Sequence, residues 1–442
     1  MKNTILVLCA SFLASVSLHA QQETIELDLP LIIDLVENQN IELAQQREIA
    51  LQSWEALKHE KSRHRVQAEL HLSYTQRKAS ELVGASNEEP VYQTIGPYQK
   101  KDAKAFLSTP LWDPNIRADI KAARSRAEIQ ELTLQLTEEQ TLATVIDSYF
   151  DFIKSREAVH AAEASIQRSS DLLSTAQNLY QAGASDKIDL IRAELKLADD
   201  RELLIETQKT ENELQLLLKR MLGIPFEQGL HVSSPELCFD LAYFDAEELY
   251  QQALANRPDY LRSLAEIEKS KHLRRSAKTM RHPSLAFYGE YGLANQALNG
   301  GTESSEWSAL FLVSMPLWDS KKSGSKIRTA ESQLRSAELE RQRVELDLQR
   351  EIAQLIARID SLQSKILLSD KKQSLSRERY RLSAMRFEQG VADNQEAVEA
   401  TLQLSLNELN QANTRYLYHR SLLQLMAALG DTRSLIDLAI YP

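Results

Sequence analysis

The sequence predicts a mainly α protein with a small β part, assembled from two copies of one half-molecule. Three observations carry this. First, Ser108-Thr109-Pro110-Leu111-Trp112-Asp113 opens about 68 residues free of Gly and Pro, followed by Gly183, 39 more such residues and Leu222-Gly223. Second, the programme restarts at Ser314-Met315-Pro316-Leu317-Trp318-Asp319, passes Gly324 and Gly390 and closes at Leu429-Gly430, with matching landmarks 206 or 207 positions apart. Third, two segments of apolar and polar alternation precede the helical stretch in each half. A period this long exceeds any solenoid unit and marks a duplicated half-protein. At about 1.5 Å per residue, each long segment predicts a rod of roughly 100 Å and each return segment one of roughly 60 Å. A globular domain has no use for such rods.

Composition narrows the setting. The 442 residues carry a formal charge of −11, and this acidic balance excludes nucleic acid as the natural partner. Lys2, the apolar run Ile5 to Leu18 and His19-Ala20-Gln21 read as a secretory signal over residues 1–20, with cleavage after Ala20. Cys9 lies inside that run without the small preceding residue that lipid attachment requires. Losing the leader removes one Lys and no acid, leaving 51 basic and 63 acidic residues, a net charge of −12. Cys238 is then the single cysteine, so no disulfide forms within the chain. No later run reaches the roughly 20 apolar residues of a spanning helix. Entry into a membrane would therefore proceed through strands.

The first repeat occupies residues 21–223. Ile25, Leu27 and Leu29 mark a short extended lead-in. Leu31 to His64 is helical in pattern, with Leu35, Ile41, Leu43 and Ile49 among polar residues. Its counterpart in the second repeat, residues 246–430, is Ala246 to Met280. Asn40 and Pro258 mark matching turns 218 positions apart, so an insertion separates them from the 206-residue landmarks. The surplus is expected in a loop from Lys78 to Lys101, longer than the loop from Ala294 to Ser305. Around these loops the alternation predicts hairpins at 66–110 and 283–316, with strands of about 9–11 residues, the length of a tilted membrane strand. Ala68, Leu70, Leu72 and Tyr74 share one face; so do Leu285, Phe287, Gly289 and Tyr291, and so do Trp307, Ala309, Phe311 and Val313. Four strands are too few to enclose a lumen, so several chains must share a barrel.

Asp113-Pro114 reads as an N-cap with Pro at the first helical position. Trp112 and Trp318, at the strand-to-helix corners, fit either the membrane–water rim or a packed aromatic corner. Along the second rod, Leu334, Ala337, Val344, Leu348, Leu355 and Leu362 form one row. Leu339, Leu346, Ala353 and Leu367 form another, turned by roughly 200°. Two opposed rows suit one stave of a curved wall. Gly183 and Gly390, followed by Asp186 and Asp393, predict compact helical-hairpin tips. The inter-repeat segment 224–245 and the tail 431–442 each follow a shorter helix, and they are expected to pack together beside the middle of the rods.

No phosphate loop, dinucleotide fingerprint or nucleophile elbow is present. His59 and His64 are five apart and share no helix face, so no metal site is read. No catalytic residue and no cofactor is assigned.

The signal peptide, the duplicated strand–strand–helix units, the Pro-Leu-Trp-Asp corners and the glycine tips together resemble the TolC-like outer-membrane efflux channels, over about Ile25 to Ile436. That resemblance implies an α-barrel tunnel of helical hairpins crossing the periplasm. It implies a homotrimer in the outer-membrane lipid, each chain giving four strands to a shared 12-stranded β-barrel. The implied partners are a periplasmic adaptor, at tips containing Gly183, Ala184, Gly390 and Val391, and an inner-membrane transporter. Asp189, Glu396 and Glu399 match the acidic residues that constrict the periplasmic entrance in that family. Asp189 and Glu396 also sit at capping-box spacing after Asp186 and Asp393, whereas Glu399 lies a turn further in. Phe387 stands where the family has Tyr, and Ala392 where it has Arg, so the hydrogen bonds of the closed aperture cannot form in the same way. The reading from another class is an exported coiled-coil structural or adaptor protein that never enters the membrane.

Overall fold

The computed structural model describes residues 25–86, 89–232, 246–296 and 302–430. The signal segment 1–20, Cys238 and the tail 431–442 lie outside the described residues. In chain order the elements are β1 (Ile25–Leu27), α1 (Leu29–Gln39), α2 (Ile41–Ser62), β2 (Gln67–Ser86), β3 (Glu89–Trp112), α3 (Pro114–Gln181), α4 (Lys187–Leu222), β4 (Leu230–Val232), α5 (Ala246–Asn256), α6 (Pro258–Thr279), β5 (Ser284–Gln296), β6 (Thr302–Ser314), α7 (Lys322–Glu388) and α8 (Asn394–Ala428). The chain divides into two compact units, a helical one (Met1–Gln46, Gln135–Pro258, Glu345–Pro442) and a sheet-bearing one (Arg47–Leu134, Asp259–Val344).

Helices α3 and α7, whose first parts belong to the sheet-bearing unit and the remainder to the helical one, run for 68 and 67 residues and return as α4 and α8. Their unbroken length follows from the absence of Gly and Pro after the first turn. Each turnaround closes with a left-handed glycine: Ala184 N–H bonds Leu179 C=O at 2.8 Å and Val391 N–H bonds Arg386 C=O at 2.9 Å, the six-to-one bond that satisfies a helix C-terminus. One core gathers Leu27, Ile32, Val36, Val145, Tyr149 and Phe152 with Leu218, Leu222 and Val232. There β1 pairs with β4 in parallel, Ile25 opposite Leu230. Part of the inter-repeat segment therefore packs on the chain's own lead-in.

In the sheet-bearing unit, four antiparallel strands lie in the order β2-β3-β5-β6. The helices of that unit follow the same order. Arg63 of α2's trailing turn reaches Asp119 on α3 at 3.7 Å; Ser276 on α6 donates to Asp119 at 2.7 Å; Lys278 on α6 meets Glu331 on α7 at 4.0 Å. The α3 N-cap forms as the sequence predicts, with Asn115 N–H donating to Asp113 Oδ1 at 2.8 Å. The α7 start differs. Ser320 and Lys321 both take positive φ, and Asp319 Oδ2 accepts from Ser323 N–H at 2.9 Å. The second repeat lacks the Pro that opens α3, and the corner is turned by two left-handed residues instead.

Two expectations are corrected. The segment from Lys78 to Lys101 is not a loop: β2 continues to Ser86 and β3 begins at Glu89. Nor do the strands stop at 9–11 residues. They span 20 and 24 residues in the first hairpin and 13 each in the second. The insertion lengthens both strands together and so stays paired, from Arg77 opposite Tyr98 to Ser86 opposite Glu89. The Gly- and Pro-rich composition hid this. Pro97 falls in the register shift beside Arg77 and Ala79, a bulge where a missing N–H costs no ladder bond.

Candidate channel sites: a two-faced sheet and two glycine tips

Residues opposite one another in an antiparallel ladder share a face, so the registers sort the sheet completely. Leu70, Ala105, Tyr291 and Trp307 form one rung of a single face, and Ala68, Leu107, Gly289 and Ala309 the next. Phe287 and Phe311 stack on this face with ring centroids 5.1 Å apart. Leu70, Leu72, Tyr291, Trp307 and Phe311 are all exposed. The opposite face is mixed, with exposed Tyr288, Leu310 and Leu312 beside a cluster of polar and charged residues. Lys104 pairs with Glu290, Ser73 Oγ donates to Asp102 Oδ2 at 3.4 Å, and the His71 ring lies 4.7 Å from Phe106. An apolar face left open to solvent needs lipid or another chain against it. Among the described residues both outer edges, β2 and β6, lack a strand partner.

At the strand-to-helix corners the two tryptophans differ. Trp112 is 39% exposed and lies opposite Leu285 in the ladder, whereas Trp318 is 87% exposed beside Leu317 at 90%.

The tips are held by side chains the sequence reading did not single out. Leu172, Ala176, Ala193, Phe387 and Ala397 form a small core between the two hairpins. Asn394, fully buried, donates through Nδ2 to the Asp189 backbone carbonyl at 2.6 Å, tying the second tip to the first. The Asp189 carboxylate is 14% exposed, accepts from Ser185 Oγ at 2.7 Å and faces Arg192 at 3.3 Å. Glu396 behaves only half as a capping box would have it. Its N–H donates to Asp393 Oδ1 at 3.3 Å, but its carboxylate turns to Arg386 at 3.1 Å and Ser383 at 3.3 Å on α7. Glu399 is the most open of the three at 56%, with Gln395 Nε2 at 3.0 Å and Arg379 at 3.9 Å. Gly183 and Gly390 have open space around them, and Val391 is exposed. Phe387 is buried, so the position where a Tyr was expected is filled by packing.

Further along the helical unit, Ser165 and Ser405 share a hydrogen bond at 3.0 Å, and Arg168 donates to Ser405 Oγ and Glu408 Oε2, both at 3.0 Å. The signal for this network was available in Ser165, Arg168 and Ser169 on one turn of a rod otherwise lined with Ala and Leu. Among the described residues no group of three or more His, Cys, Asp or Glu is arranged to hold a metal, and no helix is long and apolar enough to cross a membrane.

The model of the outer membrane efflux protein family matches residues 62–223 and 249–431, one stretch for each repeat. The chain belongs to the outer membrane efflux protein family. No curated protein matches it by sequence. Among solved structures, this efflux protein resembles a membrane protein from Pseudomonas aeruginosa at a TM-score of 0.80 and 18% identity, covering 92% of this chain and 95% of that one. The Campylobacter jejuni CmeC outer membrane channel gives 0.78 and 18%, covering 93% and 89%. The open state of the Neisseria gonorrhoeae MtrE outer membrane channel gives 0.73 and 15%, covering 91% and 89%. At these identities the likeness is one of fold. The efflux protein works in the outer membrane and extends into the periplasm, and the reading as a coiled-coil protein outside the membrane is set aside.

Proposed function

We propose that the efflux protein is a homotrimeric, passive exit duct, in which three chains close a 12-stranded barrel and their helices wall a periplasmic tunnel. The observation that carries this reading is the four-stranded sheet, with two edges unpaired among the described residues, one apolar open face and an opposite face that bears Lys104, Glu290 and His71. In hydrocarbon an unpaired edge is untenable, and closing copies edge to edge puts Leu70, Tyr291 and Trp307 on lipid and Lys104, Glu290 and His71 on water. Trp112 and Trp318 then sit at the membrane rim. Substrate is delivered by an inner-membrane transporter through a periplasmic adaptor that docks at the tips around Gly183, Ala184, Gly390 and Val391. No ATP is used by the duct, and no residue has a catalytic role.

Asp189, Glu396 and Glu399 line the periplasmic entrance in this reading. Three copies of Glu399, the most open of these acids, give a negative ring able to hold cations. The test is bilayer conductance of the Glu396→Ala/Glu399→Ala protein with a multivalent cation on the periplasmic side. Block should weaken by an order of magnitude or more, about what losing one charge-assisted contact implies. Unchanged block removes these residues from the gate.

A further inference from the structure

The apolar face of the sheet has two ends, each marked by an aromatic residue. At one end Trp112 lies opposite Leu285. At the other Tyr74 lies opposite Lys101, on a rung that continues through Asn295 to Glu303. Leu285 and Asn295 are ten positions apart on β5. That is about 33 Å along the strand, or about 25 Å along the membrane normal for strands tilted by about 40°. An outer-membrane barrel presents an apolar band of this height between two aromatic girdles. Helix α3 continues from the Trp112 end toward the periplasm, so the Tyr74 end meets the outer leaflet.

At that end the same face turns cationic. Lys101 stands on the girdle rung itself. Lys78 follows Tyr74 by four positions on β2, with Arg77 opposite Tyr98 and Ala79 opposite Ile95. The register shift between them sets two residues of β3, Gly96 and Pro97, against Lys78 alone, so β2 keeps its alternation and Lys78 shares the face of Tyr74. Both lysines are exposed, and among the described residues neither has an acid as partner. Lys104 on the other face, by contrast, is paired with Glu290. The acid of the girdle rung, Glu303, stands on β6, two strands and roughly 10 Å from Lys101. Lys78 lies about 13 Å beyond Tyr74 along the strand, roughly 10 Å further out at the same tilt. The two lysines thus bracket a headgroup layer about 5–8 Å thick.

We propose that Lys101 and Lys78 form a site for the phosphate groups of outer-leaflet lipid. A Lys ammonium binds phosphate as a point charge, and its long stem lets a residue at the edge of an apolar band hold its charge among the headgroups. This rests on the reading of the apolar face as lipid-facing, and it names the headgroup chemistry that face meets and the residues that meet it.

The test uses detergent-purified full-length protein and lipid A, a phosphorylated glycolipid, with native mass spectrometry reading the lipid bound. Each lysine near an anionic lipid surface is worth about fivefold in affinity, so Lys78→Gln/Lys101→Gln should bind lipid A roughly 25-fold more weakly. Lys78→Arg/Lys101→Arg should restore binding, and Lys209→Gln, which removes the same charge from α4, should leave it unchanged. Dephosphorylated lipid A should bind the unaltered protein as weakly as phosphorylated lipid A binds the double Gln variant. Equal affinity of the unaltered and double Gln proteins overturns the site, as does equal affinity for the two forms of the lipid. Inorganic phosphate at matched ionic strength should leave lipid A bound; displacement by it reassigns the site to free phosphate and rejects the lipid. Reconstitution in phosphatidylcholine vesicles followed by an alkaline carbonate wash separates the two readings. Protein released by the wash defeats the lipid-facing sheet and this site with it, whereas protein that stays in the vesicles but fails the lipid A comparison defeats the site alone.

Discussion

Asn394 shows how little of a tip is decided by its charged residues. Its side chain is fully buried and spans two hairpins to reach the Asp189 carbonyl at 2.6 Å. Replacing it with Ala removes that buried bond while the carbonyl keeps its place in the α4 ladder, so Asn394→Ala should cost about 0.5–1.5 kcal/mol. A lowered thermal unfolding midpoint in detergent would show this, and an unchanged midpoint would mean that water replaces the amide. Two glycines make a sharper contrast. Gly390 has φ +69 with no atom within 4 Å of a built Cβ, whereas Gly430 has φ +75 and a built Cβ would lie 3.0 Å from Arg257 backbone atoms. Gly390→Ala should cost only the left-handed strain, about 1–2 kcal/mol. Gly430→Ala adds a backbone clash and should cost measurably more in the same melting assay. The sequence revealed both glycines as helix stops, but it did not reveal which one lies against another backbone.

Among the elements, α8 is bonded on two sides. Toward α7, Arg415 Nη2 and Gln411 reach Asp370, and Asn407 reaches Ser376. Toward α3, Ser405 meets Ser165, Glu408 meets Arg168, and Arg420 meets Asp147 at 2.8 Å. Helix lengths and turns were legible because Gly and Pro punctuate them. The polar bonds between helices were not, since Ser and Arg at these positions look like solvated faces. His419 lies on the same helix, and burial pushes its pKa below 6.5, with the Arg415 charge acting in the same direction. The folded form is thus the weaker proton binder. Stability from this group is complete above the unfolded value, about 6.5, and is lost as pH falls from there toward the folded pKa. The melting midpoint should drop between about pH 7 and pH 5, and less so in His419→Asn. An equal drop in both proteins assigns the acid sensitivity to other groups.

For the whole molecule, the duplication, the four strands and their alternation were readable because period-2 patterning survives wherever the two faces of a sheet meet different surroundings. The long arm of the first hairpin was not readable. Among the described residues β5 pairs with β3 no further than Lys100, and the Gly and Pro residues of the arm interrupt the alternation. That difference has a consequence for assembly. Strand β5 bonds β3 only from Lys100 to Trp112, opposite Gln296 to Leu285. Beyond this, among the described residues, the ladder joins β2 and β3 to each other alone. Gln76 and Gln99 form a rung, so a two-residue Asn-Gly turn can join them with the twist a hairpin needs. The shortened protein loses the β2–β3 rungs from Arg77–Tyr98 to Ser86–Glu89 but keeps every rung between β3 and β5 and between β5 and β6, and the open edge of β2 from Gln67 to Gln76. It should therefore retain the oligomeric mass and heat-resistant gel mobility of the full chain, with a melting midpoint within a few degrees, as expected for a change under about 1 kcal/mol. If instead the shortened protein falls apart into single chains, the arms bond one another across copies, and the barrel's closure depends on strands that rise beyond its four-stranded part.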